Sequence, residues 1–523
     1  MMEREAVLQQ LGEDGKPWDV LVIGGGASGL GAAVESASRG YRTLLVERID
    51  FAKGTSSRST KLVHGGVRYL EQLNIALVLD ALRERGHMLR NAPHLVHNLS
   101  FVVPAYSYFS LFYYGLGLKA YERLSGNLSF GRSRFLSRTR TVELLPEIKR
   151  DSLRGGTLYH DGQFDDARYA ICLMRTFQDL GGTAINYVEA SGLLHRGGKT
   201  VGIKARDVEK DQRFDLQAKV VINASGIQTE NILAMDQALH EPVLTVSQGT
   251  HFVLPHSFLP GRTALMIPKT ADGRVLFAIP WHGSTIVGTT DELVDRGSEE
   301  PRALDKEKRF LLEHIALYFG RKPEPSEILS VWSGQRPLVR NGMGKTSQLS
   351  RDHRVLISPS GLVTITGGKW TTYRRMGQDT IDRACEVAAL DQHPSRTVNL
   401  KLHGWTATNR QETPQWEDVF GTDLAKIKEL SDEQPELKER FHPLLPYRLR
   451  EVVWAARNEM ARTVEDVLAR RTHALFLNAR AAIESAPAVA RLLARELKRS
   501  EQWMRDDLTR FLLMAKGYVY DAE

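Results

Sequence analysis

Asp19-Val20-Leu21-Val22-Ile23-Gly24-Gly25-Gly26-Ala27-Ser28-Gly29 is the stretch whose reading decides the fold. Val20 to Ile23 reads as a buried strand and Leu30 to Arg39 as a helix. Thr43 to Val46 is the next strand, with Glu47 at its carboxyl end. Glycines 24, 26 and 29 fall at the G-x-G-x-x-G spacing between strand and helix. Gly24 permits the tight turn, Gly26 lets the backbone approach a pyrophosphate, and Gly29 lets the helix pack against the strand. The N–H groups after Gly26, at Ala27 and Ser28, face the place where a phosphate would sit at a helix N-terminus. Glu47 is placed to accept both hydroxyls of an adenosine ribose, and its charge disfavours a 2′-phosphate there. A dinucleotide-binding strand, turn and helix is the expectation.

The chain has 523 residues, too many for one core, so two or three domains are expected. Its 42% apolar and 25% charged residues are ordinary for a water-soluble globular protein. Cys172 and Cys385 cannot make a disulfide framework or a metal site alone, so a reducing compartment and no metal are expected. Met1-Met2-Glu3-Arg4-Glu5 lacks the basic-then-apolar order of a signal peptide. A net charge of +7 suits an anionic substrate or an anionic lipid surface. Nucleic acid is not expected, because no dense basic run is interleaved with aromatics. Between Arg90 and Lys119 there is no Asp, Glu, Lys or Arg. Pro93, Pro104 and several Asn and Ser break this stretch too often for a bilayer span. It reads as a buried strand and helix. The other reading is a surface dipping into a membrane interface through Tyr106, Tyr108, Phe109, Phe112, Tyr113 and Tyr114.

After Glu47 come a Ser/Thr-rich loop, Thr55 to Thr60, and a helix from about Glu71 to Arg90. Asp165 and Asp166 open a helical pattern to Leu180, stopped by Gly181-Gly182. Strands follow near Ala184–Val188 and Lys219–Asn223. From Thr250 to Ser333 the period changes to alternation: His251–Leu254, Val275–Ile279, Thr285–Gly288 and Leu329–Ser333 read as antiparallel strands of a separate sheet. Arg354–Ile357 and Val363–Thr366 return to short apolar strands, and Gly367-Gly368-Lys369 leads into a helix to about Leu390. Beyond His403, helix formers dominate, as in Arg450–Glu459 and Ser485–Met504, and Thr463 with Asp466 resembles a capping box. A first domain that returns late, after a substrate sheet, favours FAD over NAD.

These residues resemble the FAD-dependent glycerol-3-phosphate dehydrogenase family. The matching blocks are Ile23 to Gly26, Thr55 to Ser57, Lys61 to Glu71, Pro146 to Lys149, Asp165 to Arg168, Gly288 to Asp291, Ser333 to Leu338, Ser350 to Asp352 and Gly367 to Arg374. Thr463 to Arg471 is similar to the family's C-terminal domain. The stretch His64-Gly65-Gly66-Val67-Arg68-Tyr69-Leu70 is the most specific. One departure is Asn223-Ala224-Ser225-Gly226-Ile227-Gln228, where the family has Ala-Thr-Gly-Pro-Trp. The resemblance implies an α/β Rossmann-like FAD-binding domain (18–100, 150–245 and 352–395). It implies an α+β antiparallel-sheet substrate domain (101–149 and 246–351) and an all-α C-terminal cap (400–523). It implies oxidation of sn-glycerol 3-phosphate to dihydroxyacetone phosphate, with electrons passing through FAD to a membrane quinone. The expected location is cytoplasmic, peripheral at the inner face of the membrane, and a homodimer is an expected assembly. The alternatives are an oxidase that reduces O2 to H2O2, an amine or amino-acid oxidase of similar architecture, and a flavin-binding sensor.

The same resemblance assigns roles. Arg68, Arg351 and Lys369 contact the substrate phosphate, with Tyr69 donating a hydrogen bond, because a buried dianion needs paired cations. Arg336 lies nearer the reacting oxygen, where a cation stabilises developing alkoxide. His251 is the proton acceptor, with His64 as a competitor read instead as cofactor packing. The cofactor set is Gly24, Gly26, Ala27, Ser28, Gly29, Glu47, Arg48, Thr55, Ser56, Ser57, Ser59, Lys61, Leu62, His64, Gly65, Gly66, Val188, Gly226, Gly368, Lys369 and Thr371. Val188 offers backbone to the adenine, and the helix opened by Gly368, Lys369 and Thr371 stabilises negative charge on the flavin.

Overall fold

The computed structural model describes residues 4–13, 15–66, 75–126, 130–237, 241–270, 273–340, 352–407 and 416–521. The opening stretch forms what its pattern predicts. The strand Trp18–Ile23 lies between Thr43–Glu47 and Arg213–Asn223, parallel to both. Thr183–Asn186 continues the parallel sheet on one side and Val363–Gly367 on the other, with His353–Ile357 antiparallel at the edge. Val20, Leu21 and Val22 are wholly buried, as a sheet covered on both faces requires. The helix Ala27–Ser38 packs against Asp166–Asp179 and Tyr373–Ala388. Asp165 caps Asp166–Asp179, its Oδ1 accepting from Arg168 N at 2.9 Å. The chain therefore returns to this sheet after residue 353.

A second sheet runs through Leu244–Pro255, Ser284–Gly288, Leu276–Trp281, Thr263–Ile267, Val96–Ala105 and Gly155–Phe164 in that order. Its register positions the site. Ser247 pairs with Arg336, Gly249 with Gly334, and His251 with Trp332 of the strand Ser330–Val339. Side chains alternate along strands, so these six residues share one face.

The tail is helical: Leu424–Glu433, Leu449–Asn458, Ala479–Glu496 and Glu501–Ala515. The pattern read across Ser485–Met504 is two helices, because Ser500 caps the second by accepting from Trp503 N. Thr463 and Asp466 do cap each other, Thr463 N to Asp466 Oδ2 at 3.1 Å and Asp466 N to Thr463 Oγ1 at 3.2 Å. The chain before Trp18 holds a helix, Arg4–Glu13. It buries Val7, Leu8 and Leu11 against the first sheet and pairs Arg4 with Asp207 at 2.7 Å.

One expectation needs correction. The strand Val96–Ala105 is buried apart from His97, Asn98 and Ser100, but the helix Tyr108–Ser125 is not. Tyr108, Phe109, Phe112, Tyr113 and Leu116 are at least half exposed along its outer side. Aromatic periodicity alone cannot say whether a neighbour covers the stripe, and here none among the described residues does. No described helix is long and apolar enough to cross a membrane.

Candidate active site

A cavity of about 780 Å3 is walled by residues of both sheets. At one end the turn after Trp18–Ile23 is closed by contacts that only glycine allows. A Cβ at Gly24 would lie 2.6 Å from Ala224 O, and one at Gly29 would lie 1.9 Å from Gly24 O. Gly24 also takes a φ of +111°. Glu47 braces this turn, its Oε2 accepting from Gly25 N at 2.7 Å and its Oε1 from Ile49 N at 2.9 Å. Ser56 Oγ accepts from Ala27 N at 2.9 Å, tying the Ser/Thr loop to the helix N-terminus.

The other end is built from side chains. His251, 2% exposed, stacks on Trp332 with ring centroids 4.1 Å apart. Its Nε2 shares a hydrogen bond with Thr60 Oγ1 at 2.9 Å. Burial holds its pKa well below the ordinary 6.5, and Arg336 and Lys61 press it further down, so the ring is neutral at pH 7. Arg336 donates to Thr289 Oγ1 at 3.0 Å and Ser247 Oγ at 3.3 Å, with Asp291 3.5 Å away. Lys369 also lines the cavity, at the start of the turn Trp370–Thr372 that leads into Tyr373–Ala388. A neutral imidazole and a guanidinium thus share one sheet face, in the same cavity as the glycine turn.

Comparison with known proteins agrees with this geometry. Residues 19–374 match the family described as FAD dependent oxidoreductase. Residues 363–504 match the C-terminal domain of alpha-glycerophosphate oxidase. The chain is 39% identical to the mitochondrial glycerol-3-phosphate dehydrogenase of Mus musculus, over 98% of this chain and 76% of that one. It is 37% identical to the Homo sapiens protein of the same name, over 99% and 76%. A crystal structure of glycerol-3-phosphate dehydrogenase from Bacillus halodurans complexed with FAD superposes with a TM-score of 0.81 at 28% identity, over 99% of both chains. The chain belongs to the FAD-dependent glycerol-3-phosphate dehydrogenase family.

FAD is the cofactor of this family, and the residues present fit it. The glycine turn has no room for Cβ atoms, and its free face opens on the cavity. Most of the expected cofactor set lines that cavity: Gly24, Gly26, Ala27, Ser28, Glu47, Arg48, Thr55, Ser56, Ser59, Leu62, His64, Gly66, Val188, Gly226, Gly368, Lys369 and Thr371. Arg48 does so at the rim, ion-paired with Glu299. Four residues stand behind the wall instead. Gly29 serves helix packing, and Ser57 is 1% exposed with its Oγ unpartnered. Gly65 is wedged against Leu82 and Tyr121. Lys61 is wholly buried, its Nζ held by Asp166 Oδ1 at 2.7 Å and Ser57 O at 2.7 Å, because an enclosed ammonium needs a carboxylate. Arg68, Tyr69 and Arg351 lie outside the described residues.

Sequence reasoning passed over Thr60, Trp332, Thr289 and Gly249. Thr289 lies inside a block already matched, Thr60 ends the Ser/Thr-rich loop between two matched blocks, and alternation along the strands from His251 and Arg336 would have found the others. It also missed what stands behind the cofactor loop. Asp50, wholly buried, takes Arg471 Nη1 at 2.7 Å and Nη2 at 2.9 Å, and also Arg470 Nε. Arg470 reaches on to Asp466 at 2.6 Å and to Glu465 at 2.6 Å, and Glu465 pairs with Lys53. The tail is therefore a clamp on the loop after Glu47. Among the described residues, Asp165, Asp166 and His473 stand at metal-ligand spacing, but Lys61, Ser59, Arg168 N and His473 itself already engage the carboxylates.

Proposed function

We propose that this protein oxidises sn-glycerol 3-phosphate to dihydroxyacetone phosphate and that the electrons leave through a membrane quinone. The observation that carries the reading is the placement of His251 and Arg336 on one sheet face, in the same cavity as the glycine turn. Bound FAD supplies the acceptor for the hydride from substrate C2. The chain supplies the rest. Lys369, with Arg68 and Arg351, neutralises the phosphate, and Tyr69 donates a hydrogen bond to it, so that the substrate is oriented. Arg336 stabilises charge developing on the C2 oxygen. His251 takes the hydroxyl proton on an imidazole nitrogen. Its depressed pKa keeps it deprotonated before substrate arrives, and an incoming dianion offsets the repulsion from Arg336 as the ring gains its proton. The turn Trp370–Thr372, which leads into the helix Tyr373–Ala388, would favour negative charge on the cofactor when it is bound and reduced.

The outer face of Tyr108–Ser125 supports peripheral contact with the cytoplasmic face of a membrane, where tyrosine and phenylalanine rest at the headgroup level. The second reading is an oxidase that passes electrons to O2 and forms H2O2; the match of residues 363–504 to an oxidase domain favours it. One experiment separates the two. Anaerobic sn-glycerol 3-phosphate is added to the purified protein while the flavin band is followed, and air is admitted afterwards. Bleaching that persists in air until a quinone analogue is added supports the dehydrogenase. Rapid recovery in air with peroxide formed moves the assignment to the oxidase, and no bleaching overturns the substrate.

A further inference from the structure

Behind the turn His64-Gly65-Gly66 three elements converge on one phenol. Gly65 N donates to Tyr121 Oη at 2.7 Å, and Tyr121 Oη donates to Asp161 Oδ2 at 2.9 Å. Asp161 Oδ1 takes Arg85 Nη1 at 2.6 Å. Tyr121 comes from the helix Tyr108–Ser125, Arg85 from Ile75–Asn91 and Asp161 from Gly155–Phe164. Arg85 is 1% exposed, and Tyr121 and Asp161 are each 2% exposed. Burial, then Asp161, lifts the Tyr121 pKa well above 10, so the phenol keeps its proton and donates it.

The placement is specific. His64, Gly66 and Asp161 all line the cavity, while Gly65 between them does not. A Cβ on Gly65 would meet Leu82 Cδ2 at 2.5 Å and Tyr121 Oη at 2.6 Å, so the turn is pressed onto its support. The phenol is one atom that both accepts and donates. Phenylalanine would leave a buried N–H and a buried carboxylate oxygen each short of a partner, at a cost well above that of an average hydrogen bond.

We propose that Tyr121 is a positioning residue of the site: by holding the Gly65 N–H it fixes the His64–Gly66 turn against bound FAD. This rests on the FAD-dependent dehydrogenase reading. The test is Tyr121→Phe in the full-length protein, freed of FAD and reconstituted. FAD affinity falls about tenfold, the scale set by one orphaned buried donor. The visible flavin band shifts, and kcat for sn-glycerol 3-phosphate falls while KM holds. Where Tyr121→Phe does not fold, 3-fluorotyrosine at position 121 carries the test, since it keeps the hydroxyl and the buried Arg85–Asp161 pair but makes the phenol oxygen a weaker acceptor for Gly65 N–H; the same shifts follow, smaller. A folded Tyr121→Phe with wild-type FAD affinity, flavin band and kcat overturns the proposal, even if its melting temperature drops. Failure of wild-type protein to bleach with the substrate would remove the substrate reading, while FAD affinity and band position would still decide the role of Tyr121.

Discussion

In the cavity wall, His251 and Arg336 share a sheet face and lean on hydroxyls of Thr60, Thr289 and Ser247. Behind the same wall, Arg470 and Arg471 close on Asp50, and Glu465, Asp466 and Lys53 complete the set. The residue types overlap and the electrostatic design is opposite. In the clamp each charge has counter-charges at contact distance, so nothing is left over for a ligand. In the wall a base is kept neutral beside a cation, a state that an arriving dianion improves. Function and stability should therefore separate under mutation.

The largest effect belongs to the clamp. Asp50→Ala leaves two buried guanidiniums facing each other without their shared carboxylate. Breaking a buried pair from one side costs roughly 3–5 kcal/mol, a large share of an unfolding free energy of about 5–15 kcal/mol. Urea denaturation should show that loss, and FAD content on purification should fall with it, because Asp50 lies three residues after Glu47. A loss below about 1 kcal/mol would dissolve the contrast, since the clamp would then behave as a surface pair.

Arg336→Gln is the converse. The expected result is a fall in kcat/KM on the order of 100- to 1000-fold, the scale for losing one preorganised donor at a developing oxyanion. FAD content and urea midpoint should hold near wild type. A variant that instead loses stability first would place Arg336 with the clamp.

The same variant sharpens the contrast through pH. Protonated His251 cannot accept a proton, so kcat/KM declines as pH falls through its folded pKa, which lies below 6.5. Removing the Arg336 charge relieves one of the repulsions that hold that pKa down. The acid limb of the residual activity should move up toward 6.5. An unmoved limb would mean that another group sets it.

The cofactor end was legible in sequence because it is made of backbone. Gly24, Gly26 and Gly29 announce themselves by spacing, and the Cβ contacts at Gly24 and Gly29 explain why nothing else would do. Arg336 was legible through the block Ser333 to Leu338 and His251 through the role that the family resemblance assigns it at the opening of a strand, and strand register explains why they meet. Lys61 was misplaced because its block says that it is near the cofactor, but not which way its ammonium turns; only Asp166, 105 residues away, decides that. The clamp's pairing left no trace. Arg470 and Arg471 stand in a stretch already matched, but Asp50 is 421 positions from Arg471, and long-range charge pairing has no period to detect. The outer side of Tyr108–Ser125 read as core because an apolar stripe looks alike whether covered or bare.

The smallest effect concerns a second histidine, His403, which belongs to neither region. Its Nδ1 meets Asp179 Oδ2 at 2.7 Å and its Nε2 meets Asp423 Oδ2 at 2.8 Å, bridging the end of Asp166–Asp179 to the tail. Burial pulls its pKa down, but the two carboxylates outweigh burial and raise it above 6.5, the reverse of His251. A raised pKa in the folded state means that the stabilisation is complete below pH 6.5 and is lost as pH rises through the folded pKa. His403→Asn should therefore lower stability by under about 1 kcal/mol at pH 6, and by less at pH 8.5, where more of the wild-type imidazolium has given up its proton. The measurement is the urea midpoint of both proteins at the two pH values, because other groups titrate in both and cancel in the difference. A difference that grows with pH would show that His403 is held neutral, as His251 is, and that burial rather than pairing sets the state of histidine throughout this protein.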